Sequence, residues 1–254
     1  MKKRLNYIDN AKGIAMFAIT ITHLTNSKLY ESTFFSLFKV VVFYVIAGMI
    51  ISEKAQKDIT IMSLVRKRGL RLMIPYIFFS VLVILIHMFR AVLLSENLMS
   101  TFKMDFFNFI SLRGISTLWF LPTLFIGEII FMLIINYKWN VRFCVVLLPI
   151  AGLGIKWMLT NIFPVVINSE EALAIISNVV LVIGKSEIAL WFMIVGYMLF
   201  KSALFCKYEK YIAIVSLLMT ILISSFNPRI DLNSLYLGKN PVLFFLGGGM
   251  EVLL

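Results

Sequence analysis

The sequence predicts an all-α fold, a polytopic transmembrane helical bundle. Of its 254 residues, 61% are hydrophobic and 23 are Phe, and the mean hydropathy is +0.95. A water-soluble domain has no need of so apolar a composition, whereas a bundle in lipid requires it. Long apolar runs recur along the chain without a polar segment large enough for a soluble domain. We therefore expect one membrane domain over residues 1–254.

Each transmembrane helix needs about 20 apolar residues to cross the hydrocarbon core. Runs of this kind predict spans at residues 10–28, 34–52, 73–95, 117–136, 141–159, 185–200 and 211–226. A last run, residues 241–254, has only about 14 residues and is too short to cross. We expect about seven complete spans plus a partial eighth, in a domain that is incomplete at its C-terminus.

The sixth predicted span follows a polar interruption. Residues 172–200 are too long for one simple crossing, and the sequence GKSE at residues 184–187 divides them. Non-helical backbone at membrane depth occurs where it is buried in protein or lines a cavity. We therefore expect an interfacial or re-entrant piece before this span.

The positive charges predict the orientation. Fifteen of the 24 lysines and arginines fall at the N-terminus or in loops on the same side of the predicted spans. Because cytoplasmic loops are rich in Lys and Arg, we expect a multi-pass protein of the cell membrane with a cytoplasmic N-terminus. The net charge of +11 then needs no nucleic acid to explain it. The two cysteines show no metal-ligand spacing, so we expect no metal.

The first predicted helix carries ionisable residues in the sequence DNAKGIAMFAITITH, residues 9–23. Lys12 and His23 are eleven residues apart, about three turns or 16 Å, which puts them nearly on one face. Asp9, one turn earlier, could pair with Lys12. Lipid exposure of a charged side chain costs about 3 kcal/mol, so we expect His23 to face a protein-lined cavity. Alternatively, His23 only bonds a neighbouring helix and Lys12 extends to the headgroups.

A second cluster, SLVRKRGLRLMIPY at residues 63–76, precedes the third span. Arg68 and Arg71 share a face if this segment is helical. Paired guanidinium groups suit a polyphosphate such as coenzyme A, because they bind phosphate oxygens in a bidentate manner. The cluster could equally anchor the loop to anionic lipid or fix the topology.

The third cluster is STLWFLPTLFIGEIIF, residues 116–131. Trp119 lies at the predicted outer interface, where tryptophan is common in any membrane protein. Glu128 lies within the span, and a buried carboxylate needs a partner or a raised pKa. The sequence offers three candidate partners for Glu128: His23, Lys39 and Lys156.

These clusters, in this order, resemble the membrane-bound acyltransferase 3 family, which includes O-acetyltransferases of bacterial surface polysaccharides and peptidoglycan. The first-helix motif of that family corresponds to Asp9, Lys12 and His23, although arginine is commoner than lysine at the second place. The sequence RGLRLMIP is similar to the family's Arg-x-x-Arg motif, and WFL at residues 119–121 to its Trp-Phe-Leu. The family usually has about ten helices, so the resemblance covers its N-terminal portion.

The resemblance implies an integral membrane O-acyltransferase that moves an acetyl group from acetyl-CoA to a hydroxyl of a cell-surface polysaccharide or its lipid-linked precursor. His23 would act as the base or carry the acyl group, with Asp9 as the second catalytic residue. The implied donor contacts are Lys12, Arg68 and Arg71, and the implied acceptor contacts are Trp119 and Glu128. Two alternatives remain open: a glycan or lipid-linked sugar transporter, and an inactive truncated remnant.

Overall fold

The protein is an all-α helical bundle, as predicted. Its computed structural model describes residues 6–24, 35–54, 60–201 and 230–251, with residues 211, 214–216, 218–219, 222–223 and 225–227 between them. The helices are α1 (Asn6–Leu24), α2 (Phe35–Lys54), α3 (Ile61–Leu93), α4 (Leu98–Ile110), α5 (Phe120–Asn136), α6 (Val141–Trp157), α7 (Phe163–Val166), α8 (Glu170–Phe200) and α9 (Pro241–Glu251).

Short irregular pieces connect these helices. A 3₁₀ turn, Ser116–Trp119, leads into α5, and a π turn, Met158–Ile162, joins α6 to α7. A small antiparallel hairpin before α9 consists of β1 (Ile230–Asp231) and β2 (Tyr236–Leu237). We call residues 230–237 the hairpin.

Local sequence explains where several helices begin. Asn97 starts α4 by accepting a hydrogen bond from the backbone of Ser100, and Asn140 and Ser169 do the same for α6 and α8. Such side chains satisfy amide groups that the first helical turn leaves unpaired. Glu170 and Glu171 add negative charge at the positive end of the α8 dipole.

The centre of the bundle is α8, which packs against α2, α5 and α6. Phe192, Met193 and Ile194 of α8 are fully buried. In contrast, α1 packs against α2 through Ala15, Val42 and Ile46. The helix α3 packs against α4 and α5.

Four described helical segments are long and apolar enough to cross a membrane: Val65–Leu93, Ser116–Asn136, Val141–Val166 and Glu170–Phe200. Inside the protein, 72% of the most apolar stretch of Glu170–Phe200 is buried, against 11% for Val141–Val166. Within α3, large apolar side chains such as Phe78 and Phe89 are exposed. Peripheral helices with apolar outer faces around a buried central helix are what a bilayer requires.

The expectation of a broken sixth span is wrong. Residues 184–187 lie in the middle of the continuous helix α8, and all four are buried. Polar side chains there do not interrupt the helix because neighbouring segments cover them. The third helix also starts earlier than predicted, at Ile61, so the basic cluster is part of α3. The helix α4, which follows α3, was not predicted. The described residues of the predicted span 211–226 are helical.

Two glycines allow α2 and α8 to approach closely. A Cβ atom added at Gly48 would collide with the backbone of Met193, and one added at Gly196 would collide with the backbone of Val45. Small residues at such crossings let helix backbones come together, which provides packing where lipid gives no hydrophobic driving force. The contact between α2 and α8 therefore depends on these positions.

We predict that Gly48→Ala and Gly196→Ala each lower stability by about 1–3 kcal/mol, the usual cost of overpacking. Thermal unfolding in detergent, followed by tryptophan fluorescence, measures this loss. Gly154→Ala is the matched control, because nothing lies within 4 Å of a Cβ at that position. At this open position alanine should not destabilise the protein, because alanine favours helix over glycine by about 1 kcal/mol. Equal melting temperatures for all three variants would therefore contradict the proposed close approach.

Candidate functional site

We call the end of the bundle that contains the start of α3 and the end of α8 the inner end, following the predicted topology. The outer end contains the start of α5 and the hairpin. On α1, Lys12 is partly exposed and Asp9 is exposed. The side chain of His23, and that of Lys39, lie outside the described residues. The roles predicted for Asp9, Lys12 and His23 stay predictions.

Within the membrane span, Glu128 of α5 forms an ion pair with Arg68 of α3. Arg68 Nε lies 3.0 Å from Glu128 Oε2, and the two side chains are 15% and 1% exposed. Sequence reasoning did not consider Arg68 as a partner, because it placed the basic cluster before the third span. The early start of α3 instead carries Arg68 along the α5 surface, where the adjacent Gly69 faces the Phe125 ring. The ion pair joins two motif clusters that are far apart in sequence.

The other cations of the basic cluster point away from the protein interior. Arg66, Lys67 and Arg71 are exposed, whereas Arg68 is mostly buried. The segment is helical, which was the condition for Arg68 and Arg71 to share a face. The two arginines nevertheless have different surroundings, because only Arg68 faces α5. Arg71 is therefore the accessible member of the pair.

At the outer end, Trp119 is covered by protein. It is only 9% exposed, and the Nζ atom of Lys185 lies 5.1 Å from its ring centroid. Lys185 itself is 2% exposed and donates hydrogen bonds to the Arg113 carbonyl (3.1 Å) and Asn233 Oδ1 (3.2 Å). A cation over the face of an indole ring is attracted by its quadrupole. Trp119 is thus part of a buried polar cluster and does not lie in an exposed aromatic belt.

Tyr44 and Thr123 lie next to this cluster. The hydroxyl of Tyr44 is 3.2 Å from that of Thr123, and the Thr123 hydroxyl also lies within donating distance of the Phe120 carbonyl, 2.9 Å away. A closed gap with no room for a water molecule lies between Tyr44, Trp119, Lys185, Ile188 and Leu232. We call the residues Tyr44, Trp119, Thr123 and Lys185, together with Arg113, the outer cluster.

One helix connects the outer cluster to the inner ion pair. Thr123 and Glu128 are five residues apart on α5, a rise of about 7.5 Å. Both side chains are buried. Polar and ionisable groups are expensive inside a membrane, and they occur mainly where function or pairing requires them. The bundle therefore contains buried polar groups at two levels along α5.

Sequence reasoning missed the contributions of Lys185, Arg113 and Tyr44. The signal for Lys185 was present in GKSE, a polar sequence within an apolar run, but it was interpreted as a helix break. Arg113 donates to Asn178 Oδ1 on α8, which places the loop before α5 over Lys185. Contacts between distant segments decided this arrangement, and no spacing in the sequence predicts them.

Two further buried carboxyl groups lie outside these levels. His87 Nδ1 lies 2.8 Å from Asp105 Oδ2, which joins α3 to α4. Glu187 of α8 is 7% exposed, and its carboxyl group lies directly against Gly152 of α6. Neither group contacts the outer cluster through a described hydrogen bond or ion pair.

The apolar helices and their buried charges define a helical integral membrane protein. The model of the acyltransferase 3 family, described as an acyltransferase domain, matches residues 5–250. The chain therefore belongs to the acyltransferase 3 family and is a multi-pass membrane acyltransferase, which confirms the resemblance. The comparisons with curated proteins and with solved structures gave no match.

We predict that removing one member of the Arg68–Glu128 pair destabilises the protein by about 3–5 kcal/mol, since the other charge is left buried. Arg68→Gln and Glu128→Gln should each lower the detergent melting temperature. The double variant, which leaves two neutral amides, should recover much of the loss. Arg71→Gln, at an exposed position on the same helix, should stay within about 0.5 kcal/mol. Additive losses in the double variant would contradict a paired structure.

Proposed function

We propose that the protein transfers an acetyl group from cytoplasmic acetyl-CoA to a hydroxyl group of a cell-surface polysaccharide or its lipid-linked precursor. The observation that carries this proposal is the family match, which spans all three motif clusters. The structure supports it with accessible cations at the inner end and a buried polar cluster at the outer end. The proposed acceptor class rests on similarity to the family and not on a single residue.

The inner end of α3 offers the phosphate-binding side chains. Arg66, Lys67 and Arg71 are exposed on the first turns of α3. We assign Arg71 to direct contact with the phosphates of acetyl-CoA, because guanidinium groups bind phosphate as a fork. Arg68 shares its guanidinium between Glu128 and the donor, and Lys12 contributes a further cation from α1. With this assignment, the thioester lies near the inner ion pair, which contains Glu128 of α5.

The reaction itself requires a group that takes a proton from the acceptor. As the hydroxyl oxygen attacks the thioester carbon, the carbon–sulfur bond breaks and the hydroxyl proton ends on the coenzyme A sulfur. A neutral imidazole is suited to move that proton or to carry the acyl group between two such steps. We assign this role to His23, with Asp9 acting through Lys12. Trp119 and Glu128 line the route to the acceptor.

We predict that His23→Ala lowers acetyl transfer by at least about 100-fold, the usual contribution of a general base. Purified protein is supplied with acetyl-CoA labelled in the acetyl group, and label in the glycan is counted. His87→Asn is the matched control, because His87 is the other histidine of the chain and contacts Asp105 on the α3–α4 surface. Undiminished transfer by His23→Ala would rule out this role. A transporter would move the glycan without labelling it.

We predict that Arg71→Gln weakens acetyl-CoA binding about 10-fold, since a hydrogen bond to a charged group contributes about 1.5–3 kcal/mol. Titration calorimetry in detergent measures the dissociation constant, and transfer at saturating donor should change little. Arg142→Gln is the control, because Arg142 is an exposed arginine at the inner end of a different helix. Equal weakening by both variants would indicate a general surface charge effect and would contradict a specific phosphate contact.

A further inference from the structure

The two cations of the outer cluster bond only to neutral groups in the described part of the chain. Lys185 donates to the Arg113 carbonyl and the Asn233 amide oxygen, and Arg113 Nη1 donates to Asn178 Oδ1. Asn178 is itself buried. Two positive side chains thus lie close together beside a mostly buried indole ring, without a carboxylate at ion-pair distance among the described residues.

The nearby acids are engaged elsewhere. Asp231 is exposed, and its carboxylate accepts bonds from the Asn233 backbone and the Ser234 hydroxyl within the hairpin. Glu187, two residues after Lys185, lies on another side of α8 and faces Gly152. Glu170 and Glu171 are at the exposed start of α8. Among the described residues, none of these acids lies at ion-pair distance from Lys185, and Asp231 acts on it only over a longer distance.

A buried ammonium without an anionic partner is costly, because removal of its water is repaid only by a nearby opposite charge with good geometry. Membrane proteins keep such residues where they bind a substrate or an ion. An ammonium group has three donors, and two of those of Lys185 have described acceptors. Lys185 and Trp119 also border the closed gap, which has no room for a water molecule while the hairpin is in place.

We propose that the outer cluster is the acceptor subsite and that it recognises an anionic oxygen group of the glycan, a carboxylate or a phosphate. This inference rests on the proposed transfer to a glycan and names the chemical class of the acceptor. Lys185 and Arg113 bind the anion, and Trp119 and Tyr44 lie beside them. Lys185 is here a positioning residue, since it holds the acceptor while the reacting hydroxyl meets the acyl group elsewhere.

The hairpin is the outer wall of this subsite. Leu232 borders the closed gap, Leu235 contacts Gly184 of α8, and Asn233 occupies one donor of Lys185. A sugar can reach Lys185 from the outer side only when these contacts open. The anion then replaces a neutral amide oxygen as the partner of Lys185, and a charge-assisted hydrogen bond is roughly twice as strong as a neutral one.

Binding measurements in nanodiscs test the proposal without requiring catalysis. The probes are a glucuronate-containing oligosaccharide and its matched glucose counterpart, and a sugar pyrophosphate lipid and a neutral glycolipid with the same sugar. At least one anionic probe should bind about 10-fold more tightly than its neutral counterpart. Lys185→Met should abolish this preference. Methionine has a similar volume and no charge, so the fold should be retained.

The matched control is Lys201→Met. Lys201 ends the same helix, and its Nζ lies 4.3 Å from the Tyr197 ring centroid, so it reproduces the cation over an aromatic ring at the inner end. This variant should keep the anionic preference. Arg113→Gln is a second test at the outer cluster, and it should reduce the preference several-fold even if Lys185→Met fails to fold. The proposal is overturned if both anionic probes bind like their neutral counterparts, or if a folded Lys185→Met or Arg113→Gln protein retains the full preference.

A labelling experiment locates the binding. Ile188 borders the closed gap and is buried, so Ile188→Cys should react slowly with a membrane-impermeant maleimide added outside. The anionic probe that binds should slow this reaction at least about fivefold, and the neutral probe should not. Binding without protection of Cys at this position would contradict the assigned subsite.

The two anionic probes also identify the source of the anion. Binding of the glucuronate probe alone identifies the sugar as the source, and binding of the pyrophosphate lipid alone identifies the lipid linkage. If the anionic probe binds selectively but no acetyl group is transferred, the proposed function is refuted and the proposed anion-binding subsite still stands.

Discussion

The close packing of α8 against α2, α5 and α6 is the constraint on which the rest of the structure depends. Because Gly48 and Gly196 let the α2 and α8 backbones approach, α8 can occupy the centre of the bundle. Residues 184–194 of α8 are all buried, so this part of the helix can carry polar residues wherever neighbouring segments supply partners. The buried position of Lys185 follows from this packing. Displacing α8 would expose a charge to hydrocarbon, which costs about 3 kcal/mol.

Buried polar groups occur at two levels of the bundle because two sets of neighbours are available. At the inner level, α3 brings Arg68 to Glu128 on α5. At the outer level, the loop before α5 and the hairpin bring backbone and amide oxygens to Lys185. The ion pair is neutral overall, whereas the outer cluster keeps an excess of positive charge. This difference in charge distinguishes a group that is satisfied within the protein from one that is suited to a ligand.

Under the proposed function, the two ends of the bundle serve a donor and an acceptor. The exposed cations of α3 would meet the polyphosphate donor, and the outer cluster would meet the acceptor. The short stretch of α5 between Thr123 and Glu128 connects the two levels. The family match to residues 5–250 identifies the protein as an acyltransferase. The geometry alone would not do so, since buried charges also occur in transporters.

The sequence by itself determined the helical fold, the membrane environment, the bounds of α2, α5 and α6 to within a few residues, and the family, because hydropathy and motif spacing are local properties. It could not decide which helix would be central. It also misread residues 184–187 as a break, since these polar side chains would be costly in lipid, whereas in α8 neighbouring segments cover them. Tertiary structure decided that Glu128 pairs with Arg68 and that Lys185 lies over Trp119. Those contacts join residues about 60 positions apart, and only the packing of whole helices brings such residues together.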